Sequence, residues 1–143
     1  MAINSNSLLR KYQMMYKSEA PFKRAIINTF TQQGYFVTPM QTKTVPGVPD
    51  LYVVGRVCFW VEAKYVNTSY YGAGGDIPIK VRFEPGQQTW ALKHLKTSGR
   101  AVLCLITCND GIFGYWMTKL YKGGLVPRSV LTPMTLNKLI FVE

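Results

Sequence analysis

Carboxylates are scarce in this 143-residue chain: Glu19, Asp50, Glu62, Asp76, Glu84, Asp110 and Glu143 are its seven acids, set against 17 lysines and arginines. Histidine is scarcer still, with His94 alone, so neither a zinc cluster nor a two-histidine mechanism has its ligands. The three cysteines, Cys58, Cys104 and Cys108, form no CxxC pair, and their odd number argues against a disulfide framework. Two of them lie in the apolar runs VCFWV and AVLCLI, where a thiol behaves as a small hydrophobe in a reducing compartment. No stretch approaches the roughly 18 apolar residues of a membrane span. The N-terminus, MAINSNSLLRKYQMMYK, is too polar for a secretory signal. A cytoplasmic protein with no membrane partner is expected.

What is abundant is apolar material and positive charge. Hydrophobic residues make up 48% of the chain, enough for one real core at a length too short for two ordinary domains. The net charge of +10 favours a polyanionic partner, because each phosphate neutralised releases counterions. A chain that holds a polyanion gains nothing from nearby carboxylates unless they bind something positive. Acids in apolar surroundings therefore draw attention.

Along the chain, residues 7–17 read as a basic helix with Leu8, Tyr12 and Met15 on one face. Ser18 is placed to cap a second helix that ends at Gly34, with Phe22, Ile26 and Phe30 as its apolar stripe. Glu19 extends that stripe at its open end. Residues 35–39 read as a short strand and 44–49 as a loop, followed by strands at 50–54 and 56–64 joined through Gly55 as a hairpin. Residues 67–79, rich in Gly and Tyr, read as a mobile loop. A helix is expected over 84–98, opening at Pro85 and closing at Gly99, with Ala91, Leu92 and Leu95 inward. Residues 101–107 form an apolar run suited to a central strand, and 111–118 pair with it. The tail reads as a short helix or turn near 132–138 and a last strand. The expected fold class is α/β, a mixed sheet flanked by helices.

Strand alternation puts Cys58, Trp60, Glu62 and Lys64 on one face of the 56–64 strand and Phe59, Val61 and Ala63 on the other. The hairpin return can bring Asp50 beside Glu62. Two adjoining carboxylates repel, and a divalent cation removes that cost. Hard oxygen ligands suit Mg2+, with Mn2+ able to substitute. Lys64 would then supply positive charge to a reacting phosphoryl group. Taken singly, these residues also fit a plain salt-bridged strand end.

The wider pattern separates the two readings. VPD at 48–50, a following strand and VEAK at 61–64 form the arrangement of the PD-(D/E)xK nuclease superfamily. More narrowly, GVPDLYVVGRVCFWVEAK (47–64) followed by PGQQTWALKHLKTSGRAVLCLI (85–106) resembles the virus-type replication-repair nuclease family and archaeal-type Holliday-junction resolvases. The resemblance implies a restriction-endonuclease-like fold in one nuclease domain spanning 1–143, with its core at 18–107 and a C-terminal extension at 108–143. It implies a metal site from Asp50, Glu62 and the main-chain carbonyl of Ala63, with Glu19 in support and Lys64 as the catalytic lysine. It selects Gln87, three residues before Trp90, as the conserved-type glutamine, whereas helical periodicity favours Gln88. It further implies a homodimeric, Mg2+-dependent endonuclease on branched DNA, in a host cytoplasm if the source is viral. The rivals are a sequence-specific restriction- or homing-type enzyme, a non-catalytic nucleic-acid-binding module, and an RNA-binding basic protein.

Residues 67–83 are longer and more aromatic than the family pattern. Tyr70 and Tyr71 there are placed to stack on bases, and Lys80 and Arg82 to grip phosphates. Arg10, Lys11, Lys17, Lys23 and Arg24 are candidates for a DNA-facing surface.

Overall fold

Phe22, Ile26 and Phe30 recur every fourth residue. In the computed structural model, which describes residues 16–40, 45–67, 77–109 and 111–135, they are the fully buried stripe of helix α1 (Glu19–Gln32). Ser18 stands at its N-cap with extended backbone, although its side chain makes no capping bond. Gly34, at φ +93°, turns the chain out of the helix. The proposed helix at 7–17 falls largely outside the described residues. Its end at Tyr16–Ser18 is not helical, so Lys17 sits in the turn leading into α1.

Three strands follow as an antiparallel meander: β1 (Phe36–Pro39), β2 (Leu51–Val54) and β3 (Cys58–Tyr65). Helix α2 (Gln87–Ser98) crosses over to β5 (Val102–Cys108), which lies parallel to β3 and pairs antiparallel with β6 (Gly111–Met117). With β8 (Thr132–Met134) on the far edge, these strands make a six-stranded mixed sheet in the order β1-β2-β3-β5-β6-β8. Every residue of β5 is buried, as its unbroken apolar run predicts.

Alternation along the strands sorts the core into two layers. Phe59, Val61, Ala63, Leu103 and Leu105 face α1. Val102, Cys104, Ile106, Phe113 and Met117 form the opposite layer with Ala91 of α2. Among the described residues, no helix is long and apolar enough to cross a membrane.

Four local expectations are corrected. Helix α2 begins at Gln87 rather than at 84–85, because Gly86 adopts a left-handed conformation, φ +88°, that breaks the helical run. Ala91 is fully buried, but Leu92 and Leu95 are only partly so, since α2 turns its 87/91 edge to the sheet. The loop read at 67–79 ends in strand: β4 (Ile79–Lys80) pairs with β7 (Leu125–Val126) in a separate two-stranded sheet. In the tail, residues 132–134 extend the main sheet rather than forming a helix, with Thr132 and Met134 opposite Gly114 and Ile112. Residues 136–143, which carry the proposed last strand, lie outside the described residues.

One close approach ties the loop before β2 to the start of α2. A Cβ on Gly47 would overlap the carbonyl oxygen of Gly86 and press on Trp90, and Gly47 itself sits at φ +88°. The backbones therefore meet where only glycine fits, three residues before Asp50 and one before Gln87. Gly47→Ala should cost about 3 kcal/mol, combining left-handed strain with overpacking. Gly34→Ala, with a similar φ but nothing within 4 Å, should cost about 1 kcal/mol. Urea unfolding of both variants measures the difference; equal losses would remove the packing argument.

Candidate active site

Asp50 immediately precedes β2, at the open end of the β2–β3 ladder, whose last pair is Leu51 with Val61. Beyond that pair, Ala63 N–H donates to Asp50 Oδ2 at 3.1 Å, so a side chain continues the ladder where the strand has stopped. A strand residue directs its N–H and C=O to the same side. The Ala63 carbonyl therefore faces the edge on which Asp50 lies.

Glu62 and Lys64 project from β3 into the layer between sheet and α2, with Cys104 as the lateral neighbour of Glu62 on β5. Both are almost wholly buried. From α1, Glu19 reaches the same place. One carboxylate oxygen from each of Glu19, Asp50 and Glu62 lies within 4.8 Å of the others.

Gln87 joins the charged groups. Its Oε1 accepts from Lys64 Nζ at 2.7 Å and from the Glu84 backbone N–H at 2.8 Å, while its Nε2 donates to Glu62 Oε1 at 3.2 Å. Two donors on one side and a carboxylate on the other fix which way the amide points. Lys64 Nζ also lies 3.6 Å from Glu62 Oε1 and 5.5 Å from the centre of the Phe83 ring. Gln88 does different work: its amide donates to the carbonyl of Tyr121 and accepts from that residue's N–H, pinning the chain after β6. The glutamine facing the carboxylates is Gln87.

Burial is the main reason that Glu19 titrates above the usual carboxylate range. Lys64 pulls it back, Asp50 raises it, and Lys23 and Glu84 act more weakly in opposite directions. Burial, and then Glu62, push the Cys104 thiol up, so the wall behind Glu62 stays neutral. Lys64 is nevertheless reachable, for it lines a cleft of about 600 Å³ together with Glu19, Glu84, Lys17, Lys80 and Arg82. Lys23, Arg24 and Asp50 border a second depression of about 520 Å³.

The donor set suits a hard divalent cation. Two oxygens on one Mg2+ at about 2.1 Å stand at most roughly 4.2 Å apart, so oxygens within 4.8 Å of one another would share an ion after a small inward shift of the side chains. A cation there would also offset the burial cost and the weaker Asp50 repulsion that raise Glu19. Soft ligands are absent from the cluster, and His94 is remote in role. It stacks on Trp90 at 5.1 Å, and burial lowers its pKa.

Among the proposed DNA-facing residues, Lys17, Lys80 and Arg82 border the cleft, and Arg24 is exposed beside the second depression. Arg10, Lys11, Tyr70 and Tyr71 lie outside the described residues. Two contributions went unread in the sequence. Glu84 stands on the cleft wall and offers its N–H to Gln87, and Lys23 touches Asp50 Oδ1 at 3.3 Å. A signal for Lys23 existed: it lies one helical turn after Glu19, on the same side of α1.

No protein-family model matches this sequence, and no curated protein matches it. Solved structures do resemble the fold. A Holliday junction resolvase, Hjc from the archaeal hyperthermophile Archaeoglobus fulgidus, superposes with a TM-score of 0.54 at 13% identity, over 78% of this chain and 89% of that one. The bacterial homing endonuclease I-Ssp6803I gives a TM-score of 0.41 at 14% identity, over 89% and 85% of the two chains. The first likeness establishes the architecture: a six-stranded mixed sheet between helices, arranged as in a nuclease of the restriction-endonuclease-like fold.

Proposed function

We propose that this chain is a single-domain, metal-dependent DNA endonuclease of the PD-(D/E)xK kind, selective for branched or otherwise structured DNA. The observation that carries this reading is the meeting of Glu19, Asp50 and Glu62 within 4.8 Å, with Lys64 held beside them by Gln87. The fold shared with an archaeal Holliday junction resolvase supports the substrate class. The closer affinity with virus-type replication-repair nucleases rests on the 47–64 and 85–106 patterns.

Asp50 and Glu62 would hold Mg2+ or Mn2+ through carboxylate oxygens, with the Ala63 carbonyl as a further donor and Glu19 beside them. When bound, such an ion polarises a phosphoryl oxygen and makes water a better nucleophile. Lys64 aims its ammonium into the cleft, where it offsets negative charge that builds on the phosphoryl group. Gln87 bridges that ammonium and Glu62, so their relative position is held by a third group. Lys17, Lys80 and Arg82 bind flanking phosphates, and Glu19 orients water at the mouth of the cluster. Two copies acting together would cut paired strands of a junction. Phe36, 70% exposed on the edge strand β1, offers apolar surface toward such a partner.

Four-way junction, fork, single-stranded and linear duplex DNA incubated with Mg2+ test this reading. Cleavage should favour the branched substrates, require the metal and fall at least 100-fold in Glu62→Ala and Lys64→Ala while binding persists. Undiminished cutting by Lys64→Ala, or one preferred duplex sequence, would reverse the assignment. Gln87→Leu should lower the rate about tenfold or more by freeing Lys64, and Gln88→Leu should act on stability rather than rate. Equal kinetic losses in the two variants would deny Gln87 its special place.

A further inference from the structure

Among the described residues, Lys64 and Lys23 each set an ammonium against the carboxylate cluster, and they are held differently. Lys64 is 6% exposed, bonded to Gln87 and set against the Phe83 ring, so it has one position. Lys23 is 32% exposed and lies 3.3 Å from Asp50 Oδ1, at the border of the 520 Å³ depression that also includes Arg24. A lysine ammonium on a flexible four-carbon stem exchanges partners readily. The other oxygen of Asp50, Oδ2, is engaged by the Ala63 N–H. A cation arriving at Asp50 therefore meets Lys23.

Resting on the metal-site reading above, we propose that Lys23 is the exchangeable counter-ion of Asp50: a divalent cation displaces its ammonium, which then serves as a phosphate contact beside Arg24. Three features support the exchange. Lys23 stands one turn from Glu19 on a helix whose buried stripe fixes its backbone, so only the side chain needs to move. The depression gives it somewhere to go, already bordered by a second cation that draws polyanion to that side. A monovalent and a divalent positive charge at one carboxylate repel, so occupancy of Asp50 by both is disfavoured. The consequence is reciprocal coupling: metal binding frees a DNA contact, and DNA that captures Lys23 favours metal binding. An endonuclease so arranged holds its metal site weakly until substrate is present.

Calorimetric titration with Mn2+ alone tests the competition. Lys23→Met, which keeps the stem and removes the charge, should bind Mn2+ more tightly by on the order of tenfold, while Lys23→Arg stays close to the parent. Unchanged or weaker binding by Lys23→Met would overturn the exchange and make Lys23 a brace for Asp50. A second titration follows a fluorescent duplex oligonucleotide with and without Ca2+. The gain in DNA affinity brought by Ca2+ should be larger in the parent than in Lys23→Met. Equal gains would overturn the handover to phosphate. Failure of Mn2+ to bind either protein would overturn the metal site itself, and Lys23's exchange with it. Binding that is lost in Glu62→Ala but tightened in Lys23→Met separates the two claims.

Discussion

Bringing carboxylates together at the margin of an apolar core is unfavourable unless something positive lies between them, and much of this molecule is arranged around that conflict. Glu19, Asp50 and Glu62 come from a helix, a loop end and a strand, and their separation stays within 4.8 Å only because each backbone is held by different means. The buried stripe of α1 seats Glu19 against the sheet. The β2–β3 ladder and the Ala63 N–H hold Asp50. The parallel pairing of β3 with β5 fixes Glu62. Removing one partner from such a group leaves an uncompensated charge, which is costlier than losing an ordinary surface ion pair.

The cleft wall follows from the small sheet. Val81 N–H donates to the Gly124 carbonyl, and Gly124 approaches Val81 so closely that any side chain there would overlap the Val81 carbonyl oxygen. This contact continues the β4–β7 pairing past Lys80 toward Arg82, and brings residues 124–126 alongside the segment that carries both cations. Positive groups thus flank the carboxylates, on one side by Lys17, Lys80 and Arg82 and on the other by Lys23 and Arg24. On the proposed reading, a phosphate chain crossing the cluster would meet cations before and after it.

Much of the framework was legible because it is periodic. The Phe22, Ile26, Phe30 stripe, the alternation through 58–64 and the apolar run at 101–107 each carry their own signal, and they place Glu19, Glu62 and Lys64 without reference to distant contacts. What escaped depends on distant partners. Strand β4 has two residues, and nothing local marks them, since their partner is Leu125–Val126. Strand β8 contains Pro133, which lowers its strand signal and is tolerated at the sheet edge. The resemblance pointed to Gln87, whereas helical periodicity alone favoured Gln88 because Leu92 and Leu95 were expected inward. Once Ala91 is the deeply buried position, the residue one turn earlier is Gln87. Lys23 was read as part of a basic surface, since sequence cannot tell a solvated lysine from one resting on a carboxylate 27 residues away.

The likeness to the archaeal resolvase at 13% identity shows where information about this fold resides. Both core layers are defined by which positions are apolar, and cores accept different apolar residues when volume and pattern are kept. Identity can therefore decay while strand order and helix placement persist. The charged cluster does not share that tolerance. Glu62→Gln keeps shape but loses charge, and Lys64→Met keeps the stem but loses the donor to Gln87, so neither is neutral in the way that Val→Ile is in a core. A fold hosts many activities, and the case for hydrolysis therefore rests on these few polar positions, whose geometry the apolar core holds.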